Sequence, residues 1–482
     1  MKKIFLLISF IALTVSCTDD ITGLNADTKN PTTTKPEFLF TNAQKGLVDQ
    51  MVNASVNRNV FRLFTQYWAE TTYPDESQYN LTTRPIPDTH FTILYRDVLR
   101  DLKESKTLLD KQVTAGPTEA AILANKKAIV DIMSAYTFSV LVDTFGDVPY
   151  TEALDIEGFP LPKYDDAQTI YKDIISRLTA DVASLSSSDS SFGSADLIYG
   201  GDAAKWKKFA NSLRLRLAVN MHDVDAAYAS TQITAAVNAG VMTSNSDNAD
   251  LVYLGAEPNA NPLYVDIVAS GRKDFVIADT FANKMNSLSD PRRAKYFTVA
   301  PGTTSYIGGV YGTSNSYTNF SHINETILAP TFAGTIFDYT ETEFLLAESA
   351  ARGVAVGGTA ATHYTTAITA SMESWGVATA DVATYLAQPS VVYNAANWKK
   401  SIGEQAWIGL YNRGFESWIS YRRLDFPVLL APAAAYNDLK SVPTRYKYPA
   451  AEQTVNQTNV SAASALISGG DLLTTKVFWD KF

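Results

Sequence analysis

The sequence predicts a mostly α-helical chain in which helices come in pairs and long aromatic and polar loops are inserted between them. Three observations predict it. Apolar residues recur at three- and four-residue spacing along most of the 482 residues, the period of a helix that buries one face. Strand signals are few, the best being Leu251–Leu254 and Tyr306–Tyr311. Three stretches, Thr71–His90, Asn245–Lys273 and Val299–Thr335, show no helical period and are rich in Tyr, Asn, Ser and Gly. Loops of that length are uncommon unless they carry function.

The elements follow in order. A helix is expected over Glu37–Val56, just after Pro36. Phe91–Val113 carries Leu94, Val98, Leu102 and Leu109 at near-helical spacing. Thr118–Asp143 places Ile122, Ile129, Met133, Tyr136 and Val140 on one face. Asp165 and Asp166 precede Ile170, Ile174, Leu178 and Val182, an amphipathic helix with an acidic start. Asp202 opens another helix, with Trp206, Phe209, Leu213 and Leu217 inward. Its Lys205, Lys207, Lys208, Arg214 and Arg216 are expected on a solvated face. Further helices fit Ile277–Leu288, Thr340–Arg352, Ala360–Trp375, Trp398–Tyr411 and Gly414–Tyr421. Paired helices of this length suggest tetratricopeptide-like units, although the consensus of that repeat is not visible. No linker divides residues 37–482, which read as a single domain.

Bulk properties narrow the function. Charged residues make up 19% and the net charge is −10, so the chain lacks the basic footprint of a nucleic-acid binder. With four His and no HxxxH or CxxC spacing, it offers no zinc site, and neither metal nor cofactor is expected. Tyr is abundant, at 25 residues, and its apolar face and polar tip suit wet recognition surfaces as well as cores.

The N-terminus reads as a leader. Lys2 and Lys3 precede an apolar run from Ile4 to Val15, too short to span a bilayer but suited to a signal peptide. The run ends at Ser16-Cys17, and Cys17 is the single cysteine of the chain. Thr14-Val15-Ser16-Cys17 approximates a bacterial lipobox, with Leu13 one place too early. The expected arrangement is a signal peptide over 1–16, lipidated Cys17 opening a flexible polar tether to residue 36, and attachment to the membrane through acyl chains alone.

Between two helical runs stands LVDTFGDVPYTEAL, residues 141–154, with Asp143, Asp147 and Glu152 close together. Gly146 can supply the left-handed residue that closes a helix, Pro149 cannot continue one, and Asp147 can cap or turn the backbone. A glycosidase would need two carboxylates held about 5–10 Å apart across a sugar. A tight turn after a core helix gives no such cleft, so the acids are read as serving the turn and no catalytic residue is assigned.

Phe145-Gly146-Asp147-Val148-Pro149-Tyr150 also resembles a hallmark of the SusD/RagB family of outer-membrane nutrient-binding lipoproteins. So do DLIYGGDAAKWKKFANSLRLRLA (196–218), SLSDPRRAKYF (287–297), TETEFLLAESAARG (340–353), SMESWG (371–376), IGEQAWIGLYNRGFESWISYRR (402–423) and VPTRYKYPAAE (442–452). Their order matches, and they are most similar to the second SusD-like branch. The resemblance implies a SusD-like fold with four tetratricopeptide-like helix pairs. It implies a surface lipoprotein lying over a SusC-type TonB-dependent barrel, to which it passes oligosaccharides or, in some members, peptides. Asp19 and Asp20 resemble the acidic export signal of surface lipoproteins in Bacteroidetes, and equally suit a solvated linker. A helical glycosidase and a structural helical-repeat adaptor are the competing readings.

The family's sites vary, so ligand candidates come from the loops. Trp68, Tyr73 and Tyr79 lie in QYWAETTYPDESQYN (66–80), with Asp75 and Arg84 nearby. Tyr306, Tyr311, Tyr317 and Phe320 lie in YIGGVYGTSNSYTNFSHIN (306–324), among Gly, Ser and Asn. Aromatic faces stack on apolar sugar faces, amides, acids and Arg bond hydroxyls, and Gly lets a backbone approach. Trp68 lies in an apolar helical run and is read as a core residue ahead of a ligand contact. Trp206, Trp375, Trp407 and Trp418 are assigned to the core.

Overall fold

In the computed structural model, residues 34–482 are described. The expected leader, Cys17 and the tether up to residue 33 lie outside the described residues. Helix α1 (Pro36–Val52) has proline at its start, where the missing N–H costs little. It buries Phe40, Ala43, Leu47 and Met51, steps of three and four that form one stripe, with Val48 beside them. After the single turn of α2 (Phe61–Phe64) comes a three-residue strand, β1 (Trp68–Glu70). Helix α3 (Ile86–Thr92), a π-helical stretch (Ile93–Leu99) and α4 (Arg100–Asp110) then follow without a break.

Helix α5 (Pro117–Phe145) is long and apolar enough to cross a membrane, but it is mostly buried inside the protein and acts as its central core helix. It closes at Gly146, whose φ of +86° is a conformation that L side chains rarely adopt. The short strands β2 (Val148–Pro149) and β3 (Tyr164–Asp165) pair antiparallel and lead into α6 (Ala167–Ser184). Asp147 and Glu152 serve this turn, whereas Asp143 ties the end of α5 to α6 and to the C-terminal segment. Asp143 is buried, accepting from the Tyr171 hydroxyl and, at 2.8 Å, from the Trp479 indole. Asp147 accepts the N–H of Ala167, the first residue of α6, at 2.9 Å, and Glu152 accepts the N–H of Lys163 at 2.9 Å. Asp166 caps the same helix from Thr169 at 2.7 Å. Replacing Asp147 with Ala should therefore lower stability by about 0.5–2 kcal/mol, the usual cost of a lost cap. Thermal melts check it, and an unchanged melting point would assign the carboxylate another role.

Asp caps open the next two helices. Asp202 accepts from Ala204 and Lys205 at α7 (Ala203–Asn220), and Asp225 from Tyr228 at α8 (Ala226–Ala239). The region of the second long loop holds β4 (Ala249–Leu251), and β5 (Phe275–Ile277) precedes α9 (Asp279–Ser287) and α10 (Arg293–Tyr296). Strand β6 (Gly334–Phe337) leads to α11 (Tyr339–Ala351), which Asp338 caps, and to α12 (Ala360–Ser374). The chain ends with α13 (Thr379–Leu386), α14 (Trp398–Gly409), α15 (Gly414–Leu424), α16 (Ala450–Val455) and α17 (Gln457–Leu466).

The helices pair α1 with α4, α5 with α6, α7 with α8 and α11 with α12. Contacts of α4 with α5, α6 with α7 and α7 with α11 stack the pairs in sequence. The mostly helical architecture is thus as expected. The differences are local. The expected strand Tyr306–Tyr311 is a loop that makes only an isolated bridge, Gly309 to Ala278. Helix α8 was not expected, because its Ala-rich run shows little amphipathic contrast. Arg214 and Arg216 are not on a solvated face. Both are buried, and Arg216 pairs with Glu341 of α11 at 2.6 Å. That partner lies 125 residues away, so the sequence around α7 carries no sign of it.

Candidate functional site

Strand β1 pairs antiparallel with β5, Trp68 opposite Ile277 and Glu70 opposite Phe275. The pairing continues one step beyond the strands. Thr71 donates its N–H to the Asp274 carbonyl at 2.8 Å and its hydroxyl to the Lys273 carbonyl at 2.5 Å. Asn315 closes the same end, its backbone N–H and its amide both donating to the Glu70 carbonyl, at 3.1 and 2.9 Å. Three segments far apart in sequence, 71–80, 271–274 and 313–322, therefore meet at one strand end.

Tyr73 is the most prominent side chain there. It is 71% exposed, and its backbone has φ of +53°, unusual for a non-glycine residue. The loop beneath it is tied down. Glu70 accepts the N–H and hydroxyl of Ser77 at 3.0 and 2.6 Å, and Gln78 donates to the Gly312 carbonyl at 2.9 Å. Tyr317 lies flat on the His322 ring, 3.8 Å between centroids and 13° between planes, with the Lys273 ammonium 5.4 Å from its ring centroid. Arg84 pairs with Glu76 and lines a small cleft with Arg272, Asp274, Asp266 and Phe275. Tyr306 is half-buried, its ring edge-on to Phe297 at 5.3 Å and beneath the Arg293 guanidinium at 5.2 Å. Phe320 is partly buried and packs against the core.

Three candidates prove to be core side chains. Trp68 is 1% exposed, donates its indole N–H to the Tyr411 hydroxyl at 3.1 Å and carries the Arg62 guanidinium 4.9 Å from its ring centroid. Tyr79 is fully buried and tilted against Tyr311. Tyr311 is 7% exposed and donates its hydroxyl to the Leu63 carbonyl at 2.7 Å. The glycines of the 306–324 loop also serve the protein itself. A side chain at Gly308 would meet the Asp279 backbone at 2.5 Å, and one at Gly312 would meet Pro432 at 2.2 Å. Four residues that lie beside these candidates, Arg272, Lys273, Asp274 and His322, are not singled out by the sequence. The polar run Gly271-Arg272-Lys273-Asp274 directly before an apolar strand was the available signal.

Of the tryptophans assigned to the core, Trp206, Trp407 and Trp418 are buried. Trp375 is only partly covered, and with Phe332 and Tyr411 it walls a separate cleft.

Comparison with known proteins fits this architecture. The second SusD-like family model, described as "Starch-binding associating with outer membrane", matches residues 28–449. The chain belongs to the SusD-like family. A structure titled "chitin-binding protein" is similar to this SusD-like chain at 27% identity and a TM-score of 0.78, covering 93% of this chain and all of that one. A SusD homolog from Bacteroides uniformis shares its fold at 24% identity and a TM-score of 0.78, over 92% of this chain and all of that one. A chitin-binding SusD homolog from Flavobacterium johnsoniae does so at 24% identity and a TM-score of 0.75, over 92% of this chain and 98% of that one. Among curated proteins none matches this SusD-like chain.

Proposed function

We propose that the protein is a surface lipoprotein, anchored through Cys17, that binds oligosaccharides and hands them to a SusC-type TonB-dependent barrel without cleaving them. The observation that carries the binding step is the convergence of Tyr73, Tyr317 and the cations Arg84, Arg272 and Lys273 around the end of β1. Aromatic faces beside fixed donors and acceptors suit the apolar faces and hydroxyls of a sugar chain. Membership of a family described as starch-binding supports the ligand class. The 27% identical chitin-binding structure makes chitin oligosaccharides the first to try. Tyr73 is largely exposed, which suits a chain-like ligand that must be released to a transporter.

The purified chain should bind an oligosaccharide with modest affinity, about micromolar to millimolar. Tyr73→Ala and Tyr317→Ala should each weaken binding about threefold to tenfold, the scale of one aromatic contact. Calorimetry against chitin and starch oligosaccharides and a set of short peptides makes the measurement, with chromatography of the same samples for products. Heat from peptides alone would transfer the reading to peptide uptake. Reducing ends that accumulate with time would make the protein an enzyme.

A further inference from the structure

We propose that a second cleft, separate from the loop surface, binds a single sugar ring. It lies where the β4–β6 pair meets the residues just after α12 and the turn between α14 and α15. Asp250, Asp338, Asn248, Trp375, Phe332 and Tyr411 line it. None of its lining residues belongs to the cleft beside Arg84, so the proposal stands apart from the reading of the loop surface.

Size limits the occupant. The cleft measures about 200 Å³, below the range of about 300–1,000 Å³ usual for drug-sized ligands. It holds one ring, not a chain. One wall is aromatic. The Trp375 ring meets Tyr296 edge-on at 4.8 Å, while Phe332 and Tyr411 stand 6.2 and 6.3 Å from it. Unlike the buried tryptophans, Trp375 keeps part of its surface uncovered.

The polar groups are fixed but not saturated. Asp250 spends one oxygen on the Thr335 hydroxyl at 2.5 Å. Asp338 spends one on the Glu341 N–H at 2.7 Å and on the Arg413 guanidinium at 2.8 Å. Among the described residues, the second oxygen of each has no hydrogen-bond partner. Asn248 accepts the Tyr339 N–H at 2.9 Å, which fixes its amide, and its NH₂ is likewise without a partner among the described residues. Arg413 is buried, and its Nε has no partner. Burial pushes both carboxyls upward, and each has a further carboxylate nearby that adds to the shift, Asp338 for Asp250 and Glu341 for Asp338.

The cleft therefore offers donors and acceptors of both senses beside an aromatic face. A sugar ring supplies that combination, because every hydroxyl donates and accepts and the ring has an apolar face. A cation fits less well, since Arg413 already sits against Asp338 and supplies positive charge there.

The test uses the purified full chain with glucose, galactose and N-acetylglucosamine, each followed by saturation-transfer NMR. At least one sugar should receive saturation. Trp375→Ala and Asp250→Asn should each weaken its binding about threefold to tenfold, while Tyr73→Ala leaves it unchanged. Trp375→Phe, which retains an aromatic ring against Tyr296, should keep most of the binding and guards against loss through misfolding. Saturation of none of the three sugars overturns the proposal. So does binding that both Trp375→Ala and Asp250→Asn leave at full strength, or binding of methylammonium in place of sugar. If Tyr73→Ala weakens oligosaccharide binding while monosaccharide binding is unchanged, the two sites are distinct. If oligosaccharide binding is absent and monosaccharide binding persists, the loop-surface reading fails alone.

Discussion

Glu341→Ala should destabilise the protein by about 3–5 kcal/mol, the cost of removing one partner from a buried ion pair. Its two oxygens receive Arg216 Nε and Nη2 at 2.6 and 2.9 Å, and Arg413 Nη2 at 2.6 Å. Both arginines are buried, and Arg216 lies 4.1 Å from the Phe337 ring centroid. Burial alone would push the Glu341 carboxyl up, but Arg216 and Arg413 together outweigh it and hold it below the usual carboxylate range. Without Glu341, Arg216 loses its carboxylate partner, and Arg413 keeps Asp338 and the more distant Glu416 at 3.8 Å. The group ties α7, α11 and α15 together, so the loss should appear as a lower midpoint in urea for the whole helical stack. Arg216→Met in the Glu341→Ala background should recover part of it, because the orphaned charge is then gone. A loss below about 1 kcal/mol, the scale of an exposed pair, would show that water reaches Arg216.

That pair also marks the boundary of what the sequence made legible. Helix positions were readable because a helix that packs on one side repeats its apolar residues every three or four positions. Caps were readable because Asp166 and Asp202 stand just before such runs. Arg216, by contrast, looks like one cation among several in a lysine-rich segment, and its burial depends on a glutamate contributed by a different helix pair. Nothing local distinguishes it from Lys205 or Lys207.

The site divides the same way. Tyr73 and Tyr317 lie among polar residues and are exposed or half-exposed. Tyr311 has equally polar neighbours and is buried, because its hydroxyl reaches Leu63, some 248 residues away. The glycines beside it permit close approach by Asp279 and Pro432, not by a ligand. Trp68 read as part of an apolar helical run because a three-residue strand is too short to show a period of two. Its partner strand β5 stands more than two hundred residues further on, and that distant pairing is what brings Tyr73 and Lys273 together.

Glu70 links the site to pH. It ends β1, is 2% exposed, and holds the Tyr73 loop through both bonds from Ser77. Burial pushes its carboxyl up to about 9, the charge of Glu76 adds to the shift, and the Ser77 bonds oppose it. Glu76 is itself pushed up by burial, with Arg84 pulling it down. A carboxyl whose folded value lies above its unfolded one contributes stability that is whole at acidic pH, below about 4.5, and is lost progressively as pH rises to about 9. Glu70→Gln keeps an oxygen for Ser77 and never ionises. The variant should gain stability over the natural chain as pH rises through this window, by at most about 1.4 kcal/mol per unit, the limit for one proton. Thermal melts of both chains at matched pH values decide it. A stability difference that stays constant across the window would mean that Glu70 is already ionised in the folded protein, with Arg84 shared between both carboxylates.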